Sequence, residues 1–138
     1  MSNILIVDDE PLSNFTIVEM VETAGHRAFG VENAEAGLEI MQKQCIDAVI
    51  TDIVMPVLDG YTFIKKLREI SLTLPIVAVS GGGFSYPEEY LTIAEEAGAT
   101  HILQKPFSFS ALQEVFQDIF EDTPPRRFPF QNKLKRMS

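Results

Sequence analysis

The sequence predicts an α/β fold: a doubly wound, five-stranded parallel sheet with helices on both faces. Three observations predict it. Short apolar runs alternate strictly with longer amphipathic stretches, five of each. The strongest runs are continuous and rich in β-branched residues, as strands covered on both faces require. Strict alternation, joined by right-handed crossovers, gives a parallel sheet rather than a meander.

The elements follow in order. Ile4-Leu5-Ile6-Val7 is the first strand. Phe15, Val18, Met20, Val21 and Ala24 mark the first helix, which Gly25 ends. Arg27 to Val31 is a weaker strand, placed near a sheet edge. Leu38, Ile40 and Met41 mark the second helix, and Ala48-Val49-Ile50 the third strand. Phe63, Ile64, Leu67 and Ile70 mark the third helix, and Ile76-Val77-Ala78-Val79 the fourth strand. Leu91, Ala94 and Ala97 mark a fourth helix, ended by Gly98. Thr100 to Leu103 is a second weak strand, again near an edge. Leu112, Val115, Phe116 and Ile119 mark the fifth helix, with Ser108 or Ser110 as its N-cap. Thr123-Pro124-Pro125 then breaks the pattern.

Composition narrows the function. The 138 residues suit one domain, and 46% hydrophobic with 22% charged residues is a globular balance. A lone cysteine, Cys45, excludes an intrachain disulfide and a thiolate metal cluster. The apolar runs are far too short for a membrane span, and no secretory leader pattern opens the chain, so a cytoplasmic location is expected. Residues 1–122 carry a net charge of −14, and residues 123–138 carry +5. The acidic body is not expected to bind nucleic acid. We therefore expect one domain over 1–122 and a basic tail over 123–138. In that tail Arg126 and Arg127 interleave with Phe128 and Phe130, either as a docking strip or as a segment without its own fold.

In such sheets the functional crevice lies at the carboxyl ends of the strands. The first strand ends in Asp8-Asp9-Glu10, the third at Asp52, the fourth at Ser80, and the fifth close to Lys105. Singly, each reads as a cap, a turn residue or a solvated charge. Together, clustered like charges cost stability and are usually kept for a task. The task suggested is a hard divalent cation, which takes carboxylate oxygens and keeps waters. Asp9 and Asp52 would ligate directly and Asp8 through water, with Lys105 balancing the charge. A phosphoryl group arriving there would meet the metal, Lys105 and the Ser80 hydroxyl, with the Asp52 carboxylate as in-line nucleophile.

These residues resemble the response-regulator receiver domain of two-component signalling, the CheY-like family. The resemblance covers residues 3–121. It rests on Ile6-Val7-Asp8-Asp9-Glu10, on the run from Thr51-Asp52 to Asp59-Gly60, on Val79-Ser80 and on Lys105-Pro106-Phe107. It implies a flavodoxin-like sheet of order 2-1-3-4-5. It implies Asp52 as phosphoacceptor, Asp8 and Asp9 as the acidic pair, Ser80 as switch hydroxyl and Lys105 as phosphate partner. The Val54 backbone carbonyl becomes the third protein ligand of Mg²⁺ or Mn²⁺. The resemblance further implies a cis Lys105-Pro106 bond, against an ordinary trans turn by base rate. It implies a histidine kinase or histidine phosphotransfer protein as donor and an unknown protein as output partner. The chain would be a monomer or a phosphorylation-linked dimer, and a signalling phosphoacceptor rather than an enzyme.

Three departures stand out. Gly81-Gly82-Gly83 and a long Ser80–Lys105 spacing replace the usual compact loop. Ile102 stands where the family usually places a Tyr or Phe that moves with the switch hydroxyl; His101, Phe84 and Tyr86 are candidate substitutes. Val54 offers nothing to orient an attacking water, so slow dephosphorylation is expected. Other chemistries fit less well. Ala78 breaks a G-x-S-x-G elbow, and His26 lies far from the strand ends. No G-x-G-x-x-G or P-loop occurs. The competing reading is a receiver-fold adaptor that binds partners without phosphorylation.

Overall fold

A computed structural model describes residues 1–53, 60–80, 92 and 94–120. Its elements are β1 (Asn3–Val7), α1 (Pro11–Thr23), β2 (Arg27–Val31), α2 (Ala34–Lys43), β3 (Ala48–Asp52), α3 (Gly60–Ile70), β4 (Ile76–Ser80), β5 (His101–Gln104) and α4 (Phe109–Phe120). All five strands are parallel, in the order β2-β1-β3-β4-β5. This is the flavodoxin-like arrangement. Leu91 of the fourth predicted helix lies outside the described residues; 94–97 are helical and lead into Gly98. The fifth predicted helix is α4.

The sheet is a buried partition. Alternate residues face opposite ways and build two apolar cores. Leu5, Val7, Val49, Ile76, Ala78 and Ile102 pack with Phe63, Ile64 and Leu67 of α3 and with Ala34 of α2. Ile4, Ile6, Ile50, Val77, Val79 and Leu103 pack with Ile17 and Val21 of α1 and with Leu112, Val115 and Phe116 of α4. β2 is half-exposed, as an edge strand allows, whereas β5 is buried over its first three residues.

Helix ends follow the sequence signals. Ser108 caps α4 by accepting from the Ala111 N–H at 3.1 Å. Gly25 and Gly98 adopt φ of +97° and +116°, a region that side chains disfavour. Asn33 caps α2, where its Oδ1 accepts from Ala36 N–H at 2.8 Å. Two of the apolar residues that mark the predicted helices point outward instead of into the core: Phe15 on α1 and Ile70 on α3 are 61% and 58% exposed. On α1 the inward stripe runs through Ile17 and Val21, and Phe15 falls on the far side of it. The fifth strand begins at His101 rather than Thr100. Thr100 still meets β4: its N–H donates to the Ile76 carbonyl at 2.8 Å, and its hydroxyl accepts from the Ile76 N–H and donates to the Ile76 carbonyl, at 3.0 Å each.

Candidate functional site

The strand register brings the predicted residues to one end of the sheet. Val7 pairs with Thr51, so Asp8 and Asp52 leave adjacent strands side by side. Asp52 is the last residue of β3 and Ser80 the last of β4. Lys105 follows β5, and its N–H donates to the Ser80 carbonyl at 2.9 Å. The Lys105-Pro106 bond is cis, as the resemblance implies.

Asp8, Asp9 and Asp52 each offer a carboxylate oxygen, and these oxygens lie within 4.8 Å of one another. Asp8 and Asp52 are buried, at 1% and 6% exposure. Lys105 Nζ donates to Oδ2 of Asp8 at 2.8 Å and to Oδ2 of Asp52 at 3.2 Å. Exposed Glu10 adds a looser contact at 3.7 Å. Burial alone pushes the Lys105 ammonium down. The hydrogen bond it donates to Asp8 and the charges of Asp52 and Asp8 outweigh it, so its pKa lies above the ordinary lysine value. The ammonium is therefore a resident cation at every physiological pH.

The donor set fits a hard divalent ion. It consists of carboxylate oxygens only, held close together, with one side open through Asp9. Asp8, Asp9 and Asp52 form a Mg²⁺-binding triad, and with Lys105 they make up a receiver-type phosphoacceptor site. Val54, Pro56 and Asp59 lie outside the described residues, as do Gly81-Gly82-Gly83, Phe84, Tyr86 and the tail.

Neither Asp8 nor Asp9 caps α1; the N-cap is Glu10, which makes no side-chain cap bond. The Asp8 carboxylate instead ties down the turn. Its Oδ1 accepts from the Glu10 N–H at 3.0 Å, and its Oδ2 accepts from the Ser13 hydroxyl at 2.6 Å. Asn14 clamps the same corner, donating to the Asp8 and Val31 carbonyls at 3.1 and 2.7 Å. Sequence reasoning missed Ser13 and Asn14. The available signal was their place in the first turn of a helix that starts directly after the acidic pair.

The two histidines take no part in the site. His26 accepts from the Ser2 N–H at 3.1 Å and packs edge-on against Phe116. His101 is 4% exposed, with Nε2 at 2.8 Å from Asp118 of α4 and Nδ1 at 3.0 Å from the Thr100 hydroxyl. It pairs with Val77, three residues down the strand from Ser80. Ile102 is packed into the α3-side core.

Residues 4–117 match the family described as "Response regulator receiver domain". The chain is 29% identical over 112 residues to the sensor histidine kinase RcsC of Salmonella typhi, covering 81% of this chain but 12% of that protein. It is 31% identical over 121 residues to the two-component response regulator ARR22 of Arabidopsis thaliana, covering 86% of this chain and 84% of that one. It is also similar to the receiver domain of the sensor histidine kinase PA1611 of Pseudomonas aeruginosa, a structure with a magnesium ion coordinated in its active-site cleft. That match has a TM-score of 0.75 and 28% identity, and covers 86% of this chain and 96% of that one. No helix among the described residues is long and apolar enough to cross a membrane. The sheet order, the carboxylate triad with its lysine and the match over residues 4–117 agree: the chain belongs to the response-regulator receiver domain family.

Proposed function

We propose that the chain accepts a phosphoryl group from a phosphohistidine onto Asp52 and thereby resets a protein-binding face. One observation carries the reading: the buried Asp52 carboxylate stands 3.2 Å from the Lys105 ammonium inside a carboxylate triad. In the transfer an Asp52 oxygen forms the new P–O bond. The P–N bond of the donor breaks, and its electron pair leaves with the imidazole nitrogen. Asp8, Asp9 and Asp52, with the Val54 carbonyl that the family resemblance implies, would hold Mg²⁺, which would neutralise charge on the phosphoryl oxygens. Lys105 gives up its contact to Asp52 and pairs with the phosphoryl group. Ser80, at the end of the neighbouring strand, donates its hydroxyl to another phosphoryl oxygen. The new charge then biases the packing of β5, residues 94–97 and α4, which is a population shift between two arrangements.

The donor reading draws support from the likeness to receiver segments of sensor histidine kinases. A groove of about 420 Å³ runs beside the site, between α1 and the Lys105–Phe107 turn. Exposed Leu12 stands on its wall, with Ile17, Met20 and Phe107. We infer that the donor docks there, beside Lys105, whose ammonium contacts Asp52. The tail over 123–138 stands outside the transfer step.

The test is label transfer from histidine kinases charged with radiolabelled ATP. The expected label is an acyl phosphate that hydroxylamine cleaves, and it is absent from Asp52→Asn. Label that persists in Asp52→Asn overturns the assignment. Partner binding that is indifferent to phosphorylation favours the adaptor reading.

A further inference from the structure

Asp8 is almost fully buried, yet its Oδ2 serves two donors: the Lys105 ammonium at 2.8 Å and the Ser13 hydroxyl at 2.6 Å. The two donors differ in kind. Lys105 is shared with Asp52 and Glu10 and sits on a long flexible stem. Ser13 is fixed in the first turn of α1, which Asn14 locks to the ends of β1 and β2. Whenever Lys105 swings toward a group on Asp52, Asp8 loses a charged donor. A buried carboxylate left short of donors is costly. The Glu10 N–H still serves Oδ1, and on Oδ2 Ser13 is the donor that stays.

We propose that Ser13 is a positioning residue for the site: its hydroxyl holds Asp8 in place and so frees Lys105 to change partners. The inference rests on the phosphoacceptor reading and adds a residue to it. Without the hydroxyl, Oδ2 of Asp8 depends on Lys105 alone. The lysine is then tied to Asp8, and metal entry, which competes for the same oxygen, must break that tie. Both phosphoryl uptake and Mg²⁺ binding weaken, while the fold, which is held by the two apolar cores, does not.

The experiment compares parent, Ser13→Ala and Ser13→Thr in the full chain. Mg²⁺ affinity is measured by calorimetry, and the rate of phosphoryl uptake from a small acyl phosphate is measured at saturating Mg²⁺. Loss of one hydrogen bond to a charged group corresponds to roughly a tenfold effect. We expect Ser13→Ala to weaken Mg²⁺ binding and slow uptake by about that factor, and Ser13→Thr, which keeps the hydroxyl, to stay within about twofold of the parent. A structural role alone lowers Tm and leaves both quantities unchanged. Parent-like Mg²⁺ affinity in Ser13→Ala, or a Ser13→Thr as impaired as Ser13→Ala, overturns the inference. A parent chain that binds Mg²⁺ but takes no phosphoryl group defeats the phosphoacceptor reading instead, and the Mg²⁺ affinities still decide the role of Ser13.

Discussion

Replacing Lys105 with methionine removes the site's cation and keeps most of the side chain's bulk. The ammonium touches Asp8 at 2.8 Å and Asp52 at 3.2 Å, and both carboxylates are buried. Ligand oxygens of the two lie within 4.8 Å, so bare charges there repel by about 3.5 kcal/mol at an effective dielectric constant of about 20. Breaking a buried ion pair from one side costs about 3–5 kcal/mol, which agrees. We expect Lys105→Met to lose about 3–4 kcal/mol near pH 8 in chelator. In the parent the pH dependence is carried by Lys105. Its folded pKa is raised, so the pairing stabilises fully below the ordinary lysine value of 10.5 and is lost as pH climbs through the higher folded value. Mg²⁺ can stand in for the missing ammonium, and a ligand at about a hundred times its Kd contributes about 2.7 kcal/mol. The assay is urea unfolding followed by circular dichroism near pH 8, in Mg²⁺ and in chelator. A loss below about 1 kcal/mol, the range of an exposed pair, refutes the reasoning. So does a loss that is indifferent to Mg²⁺.

Other perturbations probe separate parts of the structure. A Cβ on Gly60 collides with the backbone of Asp52 and Ile53 and comes within 2.7 Å of the Ile53 carbonyl oxygen; Gly60→Ala should cost about 3 kcal/mol or more, and an unchanged urea midpoint contradicts this. Burial, then the N-terminal amine, lowers the His26 pKa below 6.5, with Asp47 partly offsetting them. The folded chain there binds fewer protons than the unfolded one, so stability drops as pH falls below 6.5. His26→Gln should flatten that part of a Tm-against-pH curve, and an unaltered slope contradicts it. Deleting residues 123–138 should leave phosphoryl uptake from a small donor within about twofold of the parent, since the residues of the proposed site lie between Asp8 and Lys105; abolished uptake contradicts the proposed domain boundary.

Much of the fold was legible because β1, β3 and β4 are buried on both faces. Continuous apolar runs such as Ile76–Val79 leave little choice but a central parallel strand. The site was legible for a related reason: in a parallel sheet, the residues that end the strands share one edge, so Asp8, Asp52, Ser80 and Lys105 could be gathered without coordinates. Rotations about helix axes were harder to read. α1 carries apolar residues on all sides, so Phe15 and Ile17 were indistinguishable until packing chose Ile17. The place of Ser13 in the first turn after the acidic pair marked it as a neighbour of the site, but its bond to Asp8 depends on the Asp8 rotamer and on how α1 is turned against β1, which the sequence does not show. The contact of His26 with Phe116 joins the first helix's exit to α4, across the length of the chain, and no local pattern announces it. The cis Lys105-Pro106 bond was reachable only through family resemblance, since base rates point the other way.

The central claim is that Asp52 takes a phosphoryl group in a reaction that needs the carboxylate triad's metal. It is tested most directly by the intact mass of the chain after incubation with a small acyl phosphate. The donor is offered to the parent in Mg²⁺, to the parent in chelator, and to Asp52→Asn in Mg²⁺. We expect one phosphoryl adduct in the first sample and none in the other two. An adduct of equal yield in chelator, or one retained by Asp52→Asn, contradicts it.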